Sequence, residues 1–593
     1  MAFSDVVAVF VGLGTLYVIL YRLQLRRSRP DEPPVIPGPG LPFLGHVLCM
    51  ALQGGRYMQQ LGLRLQHMTQ GGAGTALGAP TLLLSSSSFS SVTPSTIATP
   101  AGIVTLPVPG SRIYLVTDPS LAAAVQRASR AMSFTPLVPD VTRRVLGLDE
   151  KTVGIVRGDN LAVSSSPKPR PTGHTMSIVD DQKYDESYGF LADMHDMVYN
   201  YLGPGETLTN FVKDAVGELV GQVTAYAAGL EAAEPSMPPV VDLLAWMKHF
   251  VTLGTARFLY GPRNPLAMQP ALEPAFWDFV HGLGRLLLVG DRQPGTLMAS
   301  LLGGRPFAAR ERLVDGFTAY LTADEHMSSA SSEIVRRRVA IADRYGWTRA
   351  STARSELSFL FAGIINTAVT SFWVVLRLFS DPHLLQAVRE ELGQRRDGSD
   401  VDDGTLSVEH IRTGCPTLQA VYQECLRLGS NNMSTRLVLS DTMLADRYFL
   451  RAGSVVQIAA GVIHADPLLW GADADTFDPT RFMPKADKTE KADKTTTTKR
   501  HPAAFRAFGG GKTLCPGRHF ATAEILSFAA AVILLFDAED AAALAKGQPN
   551  VPPKVPPRND RVLPIHILEP AAKDVPRVKL KLRQPGRTLC VVP

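Results

Sequence analysis

The chain has 593 residues, 45% of them hydrophobic and 19% charged, which is enough apolar material for one large enzyme core with insertions. A net charge of +5, dispersed along the chain, excludes the concentrated basic footprint of a nucleic-acid binder. The cysteines Cys49, Cys415, Cys425, Cys515 and Cys590 are scattered without a C-x-x-C pair, which argues against a disulfide framework and a structural zinc site but leaves a lone thiolate open.

Ala2 to Tyr21 carries one charge, Asp5, and as a helix would span about 30 Å, the hydrocarbon thickness of a bilayer. Arg22, Arg26, Arg27 and Arg29 follow, so residues 1–29 read as a single membrane anchor with a basic cytosolic flank. A secretory signal is the rival reading, but no small-residue cleavage site follows and the positive cluster lies on the wrong side. The prolines of residues 30–46 forbid continuation of the helix and read as a stiff hinge. Residues 47–593 then form the body, interrupted by Ser/Thr-rich or charged insertions near 71–102, 164–175 and 485–500.

Within the body, Gly110 to Ala128 predicts a strand ending near Val116, an Asp-Pro turn and a helix. Leu191 to Glu231, Pro239 to Phe258 and Arg310 to Tyr345 are helical in pattern. Glu356 to Phe379 is apolar on nearly every face, as suits a helix in the middle of a large protein. Strands gather later, around Ser434 to Leu444 and Tyr448 to Gly461, with Gly453 at a turn. The fold class is mainly α with minor β.

In "FRAFGGGKTLCPGRHFATAE", Phe505 to Glu524, glycines allow turns and close approach that a Cβ would block. The helical run from Arg518 places Cys515 just before a helix N-terminus, where free N–H groups favour a thiolate or a metal-bound sulfur. The spacing F-x-x-G-x-x-x-C-x-G resembles the haem loop of the cytochrome P450 superfamily. Glu424 and Arg427 in "YQECLRL", with Arg481 in "FDPTRF", are similar to that family's buried Glu-Arg-Arg cluster. The resemblance implies a P450 fold with heme b, Cys515 as axial iron ligand, and Phe508, Gly511 and Gly517 shaping its loop. It implies that Arg436 meets a propionate. The basic residue usual two positions before the cysteine is replaced by Thr513, so other residues must help there.

"FLFAGIINTAVTSFW" resembles the central helix over the haem, with Ala362 and Gly363 near the cofactor. Ile365-Asn366-Thr367 replaces the usual acid and threonine and is similar to the steroid 7-alpha-hydroxylase and prostacyclin-synthase branch. Asn366 and Thr367 are the catalytic candidates, although neither supplies a carboxylate. Phe359, Ile364, Asn431 and Met433 are further candidate lining residues. The wider sequence resembles filamentous-fungal members serving secondary metabolism. This implies monooxygenation of a hydrophobic terpenoid, steroid-like or polyketide intermediate, driven by NADPH through the FAD and FMN of a cytochrome P450 reductase, with cytochrome b5 as an optional further partner. The expected location is the endoplasmic reticulum membrane, single-pass, with the body in the cytosol. A haem isomerase or dehydratase acting without reductase is the alternative, and a haem sensor or electron carrier a remote one.

Overall fold

Continuous apolar sequence builds the centre of the molecule. The computed structural model describes residues 15–27, 29–70, 102–158, 189–232, 239–290, 297–393, 404–484, 500–561 and 564–592, and the insertions expected near 71–102, 164–175 and 485–500 fall almost wholly outside them. The main helices are α1 (Pro119–Arg127), α2 (Phe190–Leu202), α3 (Glu206–Ala232), α4 (Leu243–Tyr260), α5 (Arg349–Ser380), α6 (Pro416–Gly429) and α7 (Arg518–Leu535).

Local chemistry fixes where they begin and end. The Asp118, Asp242 and Thr348 side chains accept N–H groups in the first turns of α1, α4 and α5. At the far end of α5, Pro382 disfavours a helical conformation at Asp381. α6 starts on Pro416, and the Glu391 carboxylate receives its first free donor, the Thr417 N–H, at 2.9 Å. Helices α3, α4, α5 and α7 pack on one another and supply much of the main core, to which Leu219, Met247, Phe372 and Phe528 belong.

A smaller layer is the five-stranded sheet β1 (Ile103–Val108), β2 (Ser111–Val116), β3 (Met132–Ser133), β4 (Met433–Val438) and β5 (Val455–Ala459), in spatial order β1-β2-β5-β4-β3. Only β2 and β5 run parallel, Ile113 opposite Val455; β4 pairs antiparallel to β5, with Arg436 opposite Val456. Gly453 turns the chain into β5 with φ +74°, a conformation a side chain would strain.

The Asp-Pro turn and following helix match the sequence reading, and the three expected helical stretches are each broken or shortened: Leu191 to Glu231 divides at residues 203–205 into α2 and α3. Val240–Asp242 is a short strand paired to Arg577–Leu582, so α4 waits for the Asp242 cap. Asp324 adopts φ +52° after the helix ending at Thr322, which breaks the expected run before Glu333–Arg344.

The single N-terminal membrane helix is corrected. Among the described residues, the helices long and apolar enough to cross a membrane are α5 and α7, with 72% and 67% of their most apolar windows buried within the protein. A helix surrounded by other helices needs the same all-round apolar surface as a membrane span, so length and hydropathy alone do not separate the two. The single-pass placement in the endoplasmic reticulum, with a cytosolic body, falls with the anchor. Of the segment on which both rested, residues 1–14 lie outside the described part.

Candidate active site

The Cys515 loop is folded by its own backbone. Gly509 N–H donates to the Arg506 carbonyl, Leu514 N–H to that of Gly511, and Cys515 N–H to that of Phe508, each at 3.0 Å. Tyr199 of α2 donates its hydroxyl to the Leu514 carbonyl, and Phe508 leans on the main core. Gly511 has φ +63°, and a Cβ there would lie 2.9 Å from Gln126 Cβ on α1; one on Gly510 would strike the Gln126 amide. The close approach these two glycines permit is therefore to α1.

Cys515 is partly buried, and burial pushes its thiol upward, while the Gly517 N–H and the Arg518 charge oppose that shift. The same two groups would stabilise a thiolate. Cys415 and Cys425 are buried with thiols raised to about 12, which leaves them inert.

Two guanidinium groups converge beside the loop. Arg436 on β4 is buried and donates to Thr513 Oγ1, the side chain standing where a base was missed in the sequence. Arg506, 2% exposed, faces the Gln126 side-chain amide, whose oxygen lies 2.5 and 3.2 Å from the guanidinium once the amide is turned to accept, and makes no ion pair among the described residues. Burial, then the Arg436 charge, lowers the Arg506 pKa to about 10. A buried cation held near another cation without a carboxylate is costly, and the pair suits a dianionic partner. The fit of this cradle to a haem with two propionates is good.

On α5, Ala362 and Asn366 are exposed one turn apart, whereas Ile364, Ile365, Thr367 and Ala368 are buried. Asn366 Oδ1 accepts the Ile567 N–H at 2.9 Å, and two turns on Trp373 Nε1 donates to the Leu568 carbonyl at 2.7 Å. Gly363 faces α4, since a Cβ there would lie 3.3 Å from Thr255 Cγ2. Thr367 points to Glu524 on α7 at 3.4 Å. Of the other lining candidates, Phe359 lies under Arg338, Asn431 is buried against Gln59, and Met433 N–H donates to the Pro564 carbonyl.

Behind the loop, Arg427 grips Glu424 with two bonds of 2.7 and 2.6 Å, both side chains wholly buried, and Arg481 Nε lies 3.5 Å from the same carboxylate. Arg427 also donates to the carbonyls of His464, Ala474 and Thr476. The model for the family "Cytochrome P450" matches residues 340–550, the region holding α5, this ion pair and the cysteine loop. Over 530 residues the chain is 28% identical to the cytochrome P450 monooxygenase nodJ of Hypoxylon pulicicidum, covering 88% of this chain and 86% of that protein.

The chain belongs to the cytochrome P450 superfamily.

This P450 is an enzyme of the monooxygenase kind. A cytochrome P450 monooxygenase of Gibberella zeae is similar to it as well, 25% identical over 441 residues and 74% of each chain. The backbone is like that of the cyanobacterial CYP120A1 solved with retinoic acid bound, with a TM-score of 0.55 at 20% identity over 81% of the P450 described here and 92% of that chain, a likeness of fold.

Sequence reasoning missed Arg506, Gln126 and Glu524. A signal existed for two of them: Arg506 stands two residues before Phe508, and Glu524 is the one acid in the apolar run of α7.

Proposed function

We propose that this P450 is a haem-thiolate monooxygenase acting on a hydrophobic terpenoid, steroid-like or polyketide intermediate of fungal secondary metabolism. The observation that carries the reading is a thiol with an anion-stabilising N–H set beside two buried guanidinium groups. In this reading Cys515 holds the iron of heme b, Arg436 and Arg506 hold the propionates, and Phe508, Gly511 and Gly517 keep the sulfur's surroundings fixed. Ala362, on the exposed face of α5, carries the helix past the cofactor, while Gly363 sets its approach to α4. The bound haem supplies activation of dioxygen, with electrons from NADPH through a reductase's FAD and FMN. Asn366, from the exposed face of α5, holds a substrate or water oxygen, and Thr367 orders protons behind it. The catalytic unit spans 47–593. The Asn366-Thr367 pair supports the finer kinship with the steroid 7-alpha-hydroxylase branch, and the fungal relatives support secondary metabolism.

Labelled dioxygen tests the reaction class. Incubated with terpenoid, steroid and polyketide compounds, reductase and NADPH, the enzyme is expected to place one labelled oxygen in the product. Full turnover without an electron source would instead mark an isomerase or dehydratase.

A second expectation concerns Arg506. A charge-assisted hydrogen bond to a carboxylate contributes roughly 1.5–3 kcal/mol, so Arg506→Ala should weaken haem retention by about ten- to a hundredfold. The haem-free protein should lose no stability, because the change relieves repulsion with Arg436. Haem transfer to an acceptor protein measures the first effect and thermal melting of apo-protein the second.

A further inference from the structure

Glu424 is outnumbered by the cations around it. Its carboxylate is taken by two bonds from Arg427 and by the Asp478 N–H, yet Arg377 near the end of α5 and Arg558 in the C-terminal segment also feel its charge. These two arginines line one small pocket against α6, whose wall there includes Cys425 and Gly429. Both are half-buried.

Neither guanidinium has an ionic partner. Arg377 holds its Cζ 4.4 Å from the centre of the Phe477 ring and makes no hydrogen bond or ion pair among the described residues. Arg558 gives one of its five N–H groups to the Leu428 carbonyl at 2.6 Å and meets no carboxylate within ion-pair reach among the described residues. The thiol of Cys425, pushed up to about 12 by burial, stays neutral and supplies no charge. Asp475, the other acid acting on Arg558, is exposed and forms no ion pair with it. Burial holds both guanidinium groups below the usual arginine range, and at Arg558 the charges of Arg377 and Arg427 add to that effect. Like charges gathered in a half-buried pocket, with donors to spare, are costly until an anion joins them.

We propose that the pocket between Arg377 and Arg558 is a binding site for one chloride-sized inorganic anion. The space open to the centre of a water-sized guest is about 10 Å³, which suits a single small ion rather than a nucleotide or another bulky phosphate. The ion accepts N–H groups from both arginines and supplies the negative charge that Glu424 alone does not. Trp373 and Gly429, which also line the pocket, hold Leu568 through the indole N–H and the glycine carbonyl at 2.7 and 2.9 Å. The anion therefore sits where α5, α6 and the C-terminal segment meet, and fastens the three together. No residue of the Arg436 and Arg506 cradle takes part, so the site stands or falls apart from the haem-thiolate reading.

Melting of the haem-loaded full chain tests the site, with sodium gluconate exchanged for sodium chloride at constant ionic strength so that screening stays fixed. The midpoint should rise saturably, on the order of 1 °C at a tenfold excess of chloride over its Kd. The chloride NMR line should broaden on adding the protein and narrow again when bromide competes. Arg377→Met keeps a stem against Phe477 but loses the charge and the donors, and both responses should vanish in it. In gluconate alone this variant should melt no lower than wild type, because it relieves repulsion with Arg558; an arginine with a purely structural role would lower the midpoint equally in both salts.

Arg558→Gln should lose the chloride response as well. Should that chain fail to fold for want of a donor to Leu428, the wild-type titration and Arg377→Met decide. A wild-type midpoint indifferent to chloride overturns the proposal, as does a full response in Arg377→Met, which would place the ion elsewhere. A response to sodium acetate but not to chloride would assign the pocket to a carboxylate and overturn the inorganic ion.

Discussion

Cys515→Ala should abolish the thiolate-type carbon-monoxide spectrum and reduce bound haem to about a tenth or less, while Cys415→Ala and Cys425→Ala retain that spectrum. The prediction follows from surroundings, since all three thiols are raised by burial. Only at Cys515 is that effect opposed by a backbone N–H and by an arginine on the adjoining helix turn. Removing the sulfur takes away the one anion that this loop is built to stabilise, and a metal ligand's hydrogen-bond partners cannot replace the ligand. Cys515→His is the sharper variant, because it restores a ligand without restoring thiolate character; a normal thiolate spectrum in either variant would refute the assignment.

Glu424→Ala should cost about 3–5 kcal/mol, among the largest stability losses any single change here can produce. It leaves the wholly buried Arg427 without its carboxylate, whereas Arg481 keeps its pair with Asp473 at 2.6 Å. The Asp478 N–H, which donates to Glu424 at 3.0 Å, loses its acceptor as well. Replacing both partners by apolar residues of similar volume usually recovers much of such a loss. Here the recovery should be incomplete, because the carbonyls of His464, Ala474 and Thr476 would lose the Arg427 donors. Urea midpoints of the single and double variants measure both claims; a Glu424→Ala protein within about 1 kcal/mol of wild type would remove this cluster from the list of structural determinants.

Much of this architecture is legible in the sequence wherever one segment carries its own instructions. The Asp118-Pro119 turn, the all-apolar α5 and the E-x-x-R spacing of α6 each follow from local pattern, and each forms. The errors arise where a distant partner decides. Val240 and Val241 fit a helical pattern until Arg577–Leu582 supplies a strand to pair with. The apolar N-terminus reads as a span by composition and length, and α5 and α7 meet the same kind of criterion while buried, since periodicity does not report whether a helix's surroundings are lipid or protein. The site shows the same division. Cys515 stands out by spacing, whereas the Arg506 and Gln126 contact joins residues 380 positions apart, and the Glu524–Thr367 contact joins residues 157 apart. Such pairings leave no trace in a single local window.

The hydrogen bond from Ile567 N–H to Asn366 bears on how selectivity can be engineered. With one lone pair of Oδ1 taken by Ile567, the two Nδ2–H donors are the larger part of the polar function this side chain has left. Asn366→Asp keeps an acceptor for Ile567 yet offers a bound molecule the opposite polarity. Asn366→Ala or Asn366→Leu leaves that N–H without its acceptor, and it does so at a peptide whose next residue, Leu568, is tied to both Trp373 and Gly429. A mutant library at this position therefore varies two things together, the chemistry shown to the guest and the tethering of a C-terminal strap. Screening hits there need a backbone readout, such as amide exchange at Ile567, before a changed product is credited to the pocket.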